Sequence, residues 1–419
     1  MFSLTDYSKL IYGYEQTVPT LYGEQRYLNF DNAASTPPFK AVMDLINHEA
    51  KWYSSVHRGS GFKSRYSTEK YEQARETIAK FCGVDLRKQT VIFTKNTTDA
   101  INKISHYLPN LPGEIVIYTR LEHHSNELTW QQGPHLCLEL TNGVVDLDRV
   151  KQLFQIYYGQ IKLLAVTGAS NVTGYLPPIY ELAQLAHQNG ALILVDGAQL
   201  IAHRPMDVLP VDDPRHLDLL TFSGHKMYAP FGAGVLIAPH SLFQNMPPTQ
   251  VGGGTVKTIQ NDKVFWAEAP ELEEAGSPNL LGALAIAAAT QVLTKIGWAK
   301  LIQAEASLLE YALLELKKIP RLILYPPMNY PRVGVISFNL EGIYHQTVAD
   351  FLGEYGIGVR SGCFCARSYV QELLNIYGGG ITKNTSQPDL LPGLVRVSFG
   401  CYNQISELKI LIKTLKKLL

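Results

Sequence analysis

Apolar residues fall in short, nearly unbroken runs through the first part of the chain: Val91–Thr94, Glu114–Tyr118, Leu163–Val166, Leu192–Val195, Leu219–Phe222 and Gly234–Ile237. These runs are rich in β-branched residues and do not alternate with polar ones, so they predict strands of a sheet covered on both faces. Between them the apolar spacing changes. Tyr71, Ala74, Ile78 and Phe81 share one helical face, and Ile179 to His187 follows the same period. Strands alternating with helices predict a largely parallel α/β sheet. Helical spacing then dominates from Pro278 to Lys318, with a break expected at Gly297-Trp298. A second zone of shorter elements follows, with strands expected at Val333–Phe338 and Val395–Phe399 and a final amphipathic helix around Leu408, Ile412, Leu415 and Leu419. A domain boundary is expected near residue 290, and the Gly- and Pro-rich stretch from Tyr377 to Pro392 predicts a long loop.

Composition narrows the class. The 419 residues are enough for two domains, and 46% apolar against 18% charged residues excludes a disordered chain. The 37 basic and 37 acidic side chains cancel, so no basic field for nucleic acid is expected. The longest apolar run, Leu280 to Ala289, falls well short of the ~20 residues of a membrane span. The first residues, Met1 to Asp6, lack the pattern of an export signal, and a cytoplasmic protein is expected. Five cysteines, an odd number, then suit reduced thiols, and a conspicuous one is to be read as chemistry, metal binding or core.

Polar residues at the ends of the predicted strands carry the candidate chemistry, because ligands of parallel α/β sheets bind there. Lys95-Asn96-Thr97-Thr98-Asp99-Ala100 opens a helix with groups suited either to a phosphate or to plain capping. Asp196-Gly197-Ala198-Gln199 puts a carboxylate at a strand end, and Ser223-Gly224-His225-Lys226 puts a lysine directly after an apolar strand. A lysine is costly to bury and asks for a reason. Together the three supply what pyridoxal phosphate needs: an amine, a carboxylate to keep the pyridine nitrogen protonated, and donors for the phosphate.

Asp31–Thr36, Val56–Gly59, Thr94–Asn102, Glu122-His123-His124-Ser125-Asn126, Val195–Gln199 and Phe222–Lys226 resemble, in order, the motifs of aminotransferase class V enzymes of fold type I, nearest to SufS-type cysteine desulfurases and selenocysteine lyases. The resemblance runs from about Tyr27 to Asn403. It implies a large domain over 26–290, with a mostly parallel seven-stranded sheet covered by helices. It further implies a smaller α+β domain over 291–419 and an arm of residues 1–25 joining the small domain. By the same resemblance Lys226 would carry pyridoxal phosphate and move the proton at Cα. Asp196 would pair with the pyridine nitrogen, Gln199 would bond the ring oxygen, and His123 would stack on the ring. Thr97, Thr98, Ser223 and His225 would hold the phosphate, and Ser277 would reach the phosphate of the neighbouring subunit in a homodimer. Asn32, Asn171, Arg360 and Arg396 would bind substrate; a guanidinium fork suits a carboxylate. No metal is expected.

Which reaction runs depends on Val359-Arg360-Ser361-Gly362-Cys363-Phe364-Cys365-Ala366, which resembles the desulfurase pattern Arg-x-Gly-x-x-Cys-Ala and puts the nucleophile on Cys365. Gly362–Cys365 also resembles the cysteine motif of molybdenum-cofactor sulfurases. L-cysteine would lose its sulfur to the Cys365 thiolate, leaving L-alanine, and a loop position would let the persulfide swing out to an acceptor protein. Structural zinc at Cys363 and Cys365, a strained disulfide between them, or inert burial remain alternative readings. Cys82, Cys137 and Cys401 are expected in the core. Lys95-Asn96 stands where relatives usually carry Arg-Gly, and the stretch from Cys365 to Arg396 is longer than in SufS-type enzymes. The acceptor therefore stays open, as do a β-eliminating C–S lyase, a selenocysteine lyase and an idle scaffold.

Overall fold

All six apolar runs become strands of one sheet in the structure, a computed structural model describing residues 6–108, 113–244, 246–326, 329–379 and 391–419. In chain order the sheet strands are β1 (Gln89–Thr94), β2 (Ile115–Thr119), β3 (His135–Leu138), β4 (Ile161–Thr167), β5 (Leu192–Asp196), β6 (Leu219–Ser223) and β7 (Gly234–Pro239). Their spatial order is β1-β7-β6-β5-β4-β2-β3. Neighbours from β6 to β3 run parallel, whereas β7 is antiparallel to both β6 and β1. The segment from Gly224 to Ala233 contains no helix long enough to cross the sheet, so β7 can only return beside β6 in the opposite sense. β3 had no apolar run to announce it, being a sheet edge exposed at its start.

The continuous apolar runs are explained by two cores. Along β4 successive side chains point to opposite faces: Leu164 and Val166 enter one core, Leu163 and Ala165 the other. The first core is covered by α2 (Phe62–Phe81), α6 (Ile179–Gln188) and α7 (Leu280–Ile296), the second by α3 (Thr97–Tyr107). Gly297, at φ 91°, turns the chain by 81° from α7 into α8 (Trp298–Leu316), a backbone conformation that favours glycine. Among the described residues no single helix is long and apolar enough to cross a membrane. α7 and α8 pass such a test together but are bent apart, and α7 is buried against α1 (Lys40–Glu49) and α2.

Beyond α8 lies an antiparallel sheet of β8 (Leu322–Leu324), β9 (Val335–Leu340), β11 (Leu394–Ser398) and β10 (Arg360–Gly362), in that spatial order. α9 (His345–Gly353) and α11 (Ile405–Leu415) pack on it around Phe338, Val348, Val397 and Leu408. Leu28 and Phe30 join this core, the strand Leu28–Asn29 pairs with Ile357–Gly358, and Arg26 ion-pairs with Glu407 at 2.9 Å. The expected boundary at residue 290 falls inside α7, shortly before the bend at Gly297. Of the loop expected from Tyr377 to Pro392, residues 380–390 lie outside the described residues.

Candidate active site

The carboxyl ends of β1, β2, β4, β5 and β6 converge on a cavity of about 250 Å³. At the end of β1, the Asn96 side chain accepts the Asp99 N–H at 2.9 Å and the Asp99 carboxylate accepts the Lys95 N–H at 2.9 Å, a reciprocal cap that starts α3. The Thr97 N–H donates to Ser223 Oγ at 2.9 Å, and the two hydroxyls lie 2.8 Å apart, joining the ends of β1 and β6.

After β2, His123 caps the short helix α4 (His124–Glu127). The Ser125 N–H donates to His123 Nδ1 at 3.1 Å, which makes Nδ1 an acceptor and leaves the ring proton on Nε2. Burial, helped by the charge of Lys226, lowers the His123 pKa to about 3, so the ring is neutral. Burial likewise lowers His225 to about 4. Glu122, one residue earlier, is fully enclosed: it accepts bonds from Thr119, from Asn126 and from the Thr167 N–H, which ties the end of β2 to the end of β4. Burial nevertheless raises its pKa to about 8.

Asp196 ends β5 and Lys226 follows β6 on the tight turn Gly224–Lys226. A Cβ on Gly224 would sit 2.7 Å from Ile286 and 3.0 Å from the Ala229 carbonyl, so this turn admits only glycine. Burial pushes Asp196 up and Lys226 down, each easing the other through their opposite charges. The Ala198 N–H donates to Asp196 Oδ1 at 3.0 Å. Among the described residues no donor reaches Oδ2, and the Lys226 ammonium donates to none.

Three further groups enter from the second sheet. Arg396 of β11 is buried; it donates through Nη1 to the Asn171 carbonyl and through Nη2 to Asp31, both at 3.0 Å, while its Nε has no partner among the described residues. Arg360 of β10 ion-pairs with the other Asp31 oxygen at 3.6 Å. Cys365 lies on a turn closed by the Ala366 N–H donating to the Cys363 carbonyl, with Phe364 and Cys365 both at φ 53°. The Phe364 carbonyl accepts from Asn171 Nδ2 at 2.7 Å, the Cys365 carbonyl accepts the His124 N–H at 2.6 Å, and the Arg396 guanidinium lies 4.7 Å from the Phe364 ring centre. The turn is thus pinned to the first sheet at successive carbonyls.

The family model "Aminotransferase class-V" matches residues 28–411. The chain belongs to the aminotransferase class V family. Curated relatives named cysteine desulfurase in Escherichia fergusonii and Escherichia coli are each 34% identical to it over 406 residues, 93% of this chain and 92% of theirs. Among solved structures, an apo cysteine desulfurase of Thermococcus onnurineus superposes with a TM-score of 0.83 at 30% identity, covering 94% of both chains. A cysteine desulfurase of Escherichia coli in an S-sulfonic acid form gives 0.79 at 28% identity, covering 93% of this chain and 94% of that one.

In this class V chain the cavity is lined by Thr97, Thr98, His123, Asn171, Asp196, Gln199, Ser223, His225, Lys226, Arg360, Cys365 and Arg396, all expected from the sequence. Two expected residues stand elsewhere. Asn32 is buried in a network in which its amide donates to the carbonyls of Asn29 and Ser398 and to Asn403, and its oxygen accepts from Tyr402 at 2.6 Å. Ser277 is exposed and away from the lining. Asn96, from the stretch read as suited to a phosphate or to capping, also lines the cavity, as do Ser125, Thr167 and Phe364, to which no role was assigned. Ser125 and Asn96 are short polar residues inside quoted motifs, a signal shared by every cap; Phe364 lies inside the cysteine motif, where its apolar ring gave no chemical signal of its own. Cys82 is buried, and Cys137 and Cys401 are half-buried, with burial raising both of the latter to about 12, so these thiols stay protonated. Among the described residues no three of His, Cys, Asp and Glu cluster as a metal site requires.

The residues present fit pyridoxal phosphate. A half-buried lysine amine with no acceptor among the described residues, the Oδ2 oxygen of buried Asp196 with no donor among them, and hydroxyls gathered at the start of α3 are the complements of its aldehyde, its pyridinium and its phosphate.

Proposed function

We propose that the protein is a pyridoxal-phosphate-dependent cysteine desulfurase that moves the sulfur of L-cysteine onto Cys365 and leaves L-alanine. The observation that carries this reading is the presence of Cys365 in the same cavity as Lys226, Asp196 and Arg396. The names of the curated relatives support it.

Bound there, the cofactor supplies an electron sink for negative charge at the substrate Cα. Asp196 would lie against its ring nitrogen and His123 over its ring, while Thr97, Thr98, Ser223 and His225 would hold its phosphate. Burial favours the neutral amine of Lys226, which can take up and return the Cα proton. Arg396 and Asn171 orient the substrate carboxylate. The Cys365 thiolate attacks the substrate Sγ: a sulfur–sulfur bond forms, the Cβ–Sγ bond breaks, and Cβ takes a proton to become the alanine methyl. Cysteine and the Cys365 thiol are consumed in equal number, and no outside oxidant or reductant enters. The persulfide then passes to an acceptor protein.

We also read the enzyme as a cytoplasmic homodimer. The exposed position of Ser277, away from its own cavity, suits a residue that serves the neighbouring subunit.

Anaerobic incubation of the cofactor-loaded protein with L-cysteine tests this, wild type beside Cys365→Ala. Alanine and sulfane sulfur that disappear in the variant are expected. Pyruvate and ammonia that persist in the variant would make the enzyme a C–S lyase.

A further inference from the structure

Two residues after Lys226 the backbone takes a conformation that a bulky side chain rarely adopts. Tyr228 sits at φ 66° and is fully enclosed, only 1% exposed. A residue persists in such a conformation only when its surroundings hold it from several sides, and Tyr228 is held at every polar atom. Its N–H donates to Thr36 Oγ1 at 2.6 Å, its carbonyl accepts the Phe39 N–H at 3.3 Å, and its hydroxyl accepts the Cys401 N–H at 2.7 Å. Its ring stacks on that of Phe39, with centres 4.3 Å apart. Cys401 belongs to the turn that follows β11, closed by the Asn403 N–H on the Gly400 carbonyl at 3.2 Å. Tyr228 therefore joins the segment that carries Lys226 to the second sheet.

Thr36 also holds the other side of Lys226. The His225 carbonyl accepts the Thr36 N–H at 2.9 Å, Thr36 Oγ1 at 3.2 Å and Ser35 Oγ at 3.1 Å. Lys226 and Met227 are thus bracketed by two peptide groups, the His225 carbonyl and the Tyr228 N–H, that close on one threonine. Inside the bracket the Met227 and Ala229 N–H groups both donate to the Gly224 carbonyl. None of these bonds involves the Lys226 amine, and Tyr228 does not line the cavity. What they fix is the point and direction in which the lysine leaves the backbone. The lysine stem is flexible, so its amine is aimed only as well as the backbone beneath it is held.

Resting on the reading that Lys226 carries pyridoxal phosphate, we infer that Tyr228 is a positioning residue for Lys226: anchored through its hydroxyl on Cys401 and its N–H on Thr36, it holds the strained backbone that aims the amine into the cavity. Tyr228 acts through the turn and touches no reacting atom. Without the hydroxyl the Cys401 N–H loses its acceptor, the strained φ can relax, and the amine spreads over more orientations. The hydroxyls of Thr97 and Ser223, which gather at the start of α3, keep their mutual bonds in either case.

Tyr228→Phe, which keeps the ring and its stacking, tests this first in cofactor-free protein. The rate at which the variant captures added pyridoxal phosphate, followed by absorbance and fixed on Lys226 with borohydride, falls about tenfold, short of the ~100-fold that a misplacement of about 1 Å can cost. Pyridoxamine phosphate has the same ring and phosphate but no aldehyde, so its affinity stays within about twofold of wild type. In the loaded enzyme kcat for L-cysteine falls by a factor similar to the capture rate, while KM is little changed, because Arg396 and Asn171 are untouched. Should Tyr228→Phe fail to fold, Thr36→Val decides by the same measurements, since it takes the acceptor of the Tyr228 N–H away from the other side. A capture rate equal to that of wild type overturns the inference. So does an affinity for pyridoxamine phosphate that falls in step with capture, which would mean that the whole site has loosened. A wild type that captures no pyridoxal phosphate overturns the cofactor reading and the inference with it. One that captures it but makes no alanine from L-cysteine overturns the desulfurase reading alone, on which the capture rates do not depend.

Discussion

Glu122 shows how far a single residue can depend on its surroundings. Beside His123 in the sequence it resembles any acidic loop residue; in the fold it is sealed between the ends of β2 and β4, and burial raises its pKa to about 8 from an ordinary 4.5. Between these two values the folded protein keeps a proton that the unfolded chain has released. Folding then binds protons, and stability falls as pH rises from about 4.5 to 8, by at most about 1.4 kcal/mol per pH unit, and is level in this respect above that range. Glu122→Gln has no proton to keep, so its stability relative to wild type increases across the same window. Urea unfolding at pH 5, 6, 7 and 8 measures this, and parallel curves for the two proteins would refute it. Lys226, Asp196 and Cys365 were legible because each breaks a rule locally: a lysine or a carboxylate closing an apolar run, a cysteine in a recognisable motif. Glu122, Asp31 and Phe364 were not, because what they do is set by partners far away in the sequence.

At the scale of elements, continuous apolar runs exposed the central strands because each is buried on two faces, and they missed β3, an edge. The turn carrying Cys365, expected to be a loop, is bonded through the Phe364 and Cys365 carbonyls to Asn171 and His124. Helix α3 combines two duties that substitution at Asn96 can separate, since this residue both caps the helix and lines the cavity. Asn96→Ala removes the cap, costs about 1 kcal/mol and lowers Tm by roughly 1–2 °C. Asn96→Asp keeps a capping oxygen but puts a negative charge where the phosphate would lie, so Tm of the cofactor-free protein holds while cofactor affinity falls about tenfold. Thermal unfolding and titration with pyridoxal phosphate read the two effects. A cofactor affinity unchanged in Asn96→Asp would remove the phosphate from the start of α3.

For the molecule as a whole, the sequence offers no sharp edge near residue 290, because α7 is buried along most of its length and no single position in it stands out. The long-range ties that hold the large domain together are polar and were invisible in the same way. Glu274 is the clearest. It accepts from both terminal nitrogens of Arg75 at 2.8 and 3.0 Å, from the Tyr71 hydroxyl at 2.9 Å and from the Phe93 N–H at 2.7 Å, so one carboxylate joins α2, β1 and the segment running to Ser277. The side chains of Arg75 and Glu274 are only 6% and 3% exposed. A buried pair contributes little beyond what apolar packing would, but breaking it leaves a guanidinium in the interior whose remaining partners among the described residues are the Val91 carbonyl and Glu72, the latter at the rim. Glu274→Gln is therefore expected to cost about 3 kcal/mol in urea unfolding, the lower end for a severed buried pair. It should also loosen the proposed dimer, since the chain toward Ser277 loses its anchor, and sedimentation of the variant at falling concentration would show this as earlier dissociation. A variant within about 1 kcal/mol of wild type would mean that the Tyr71 and Phe93 donors find other acceptors and that the anchor lies in the apolar core after all.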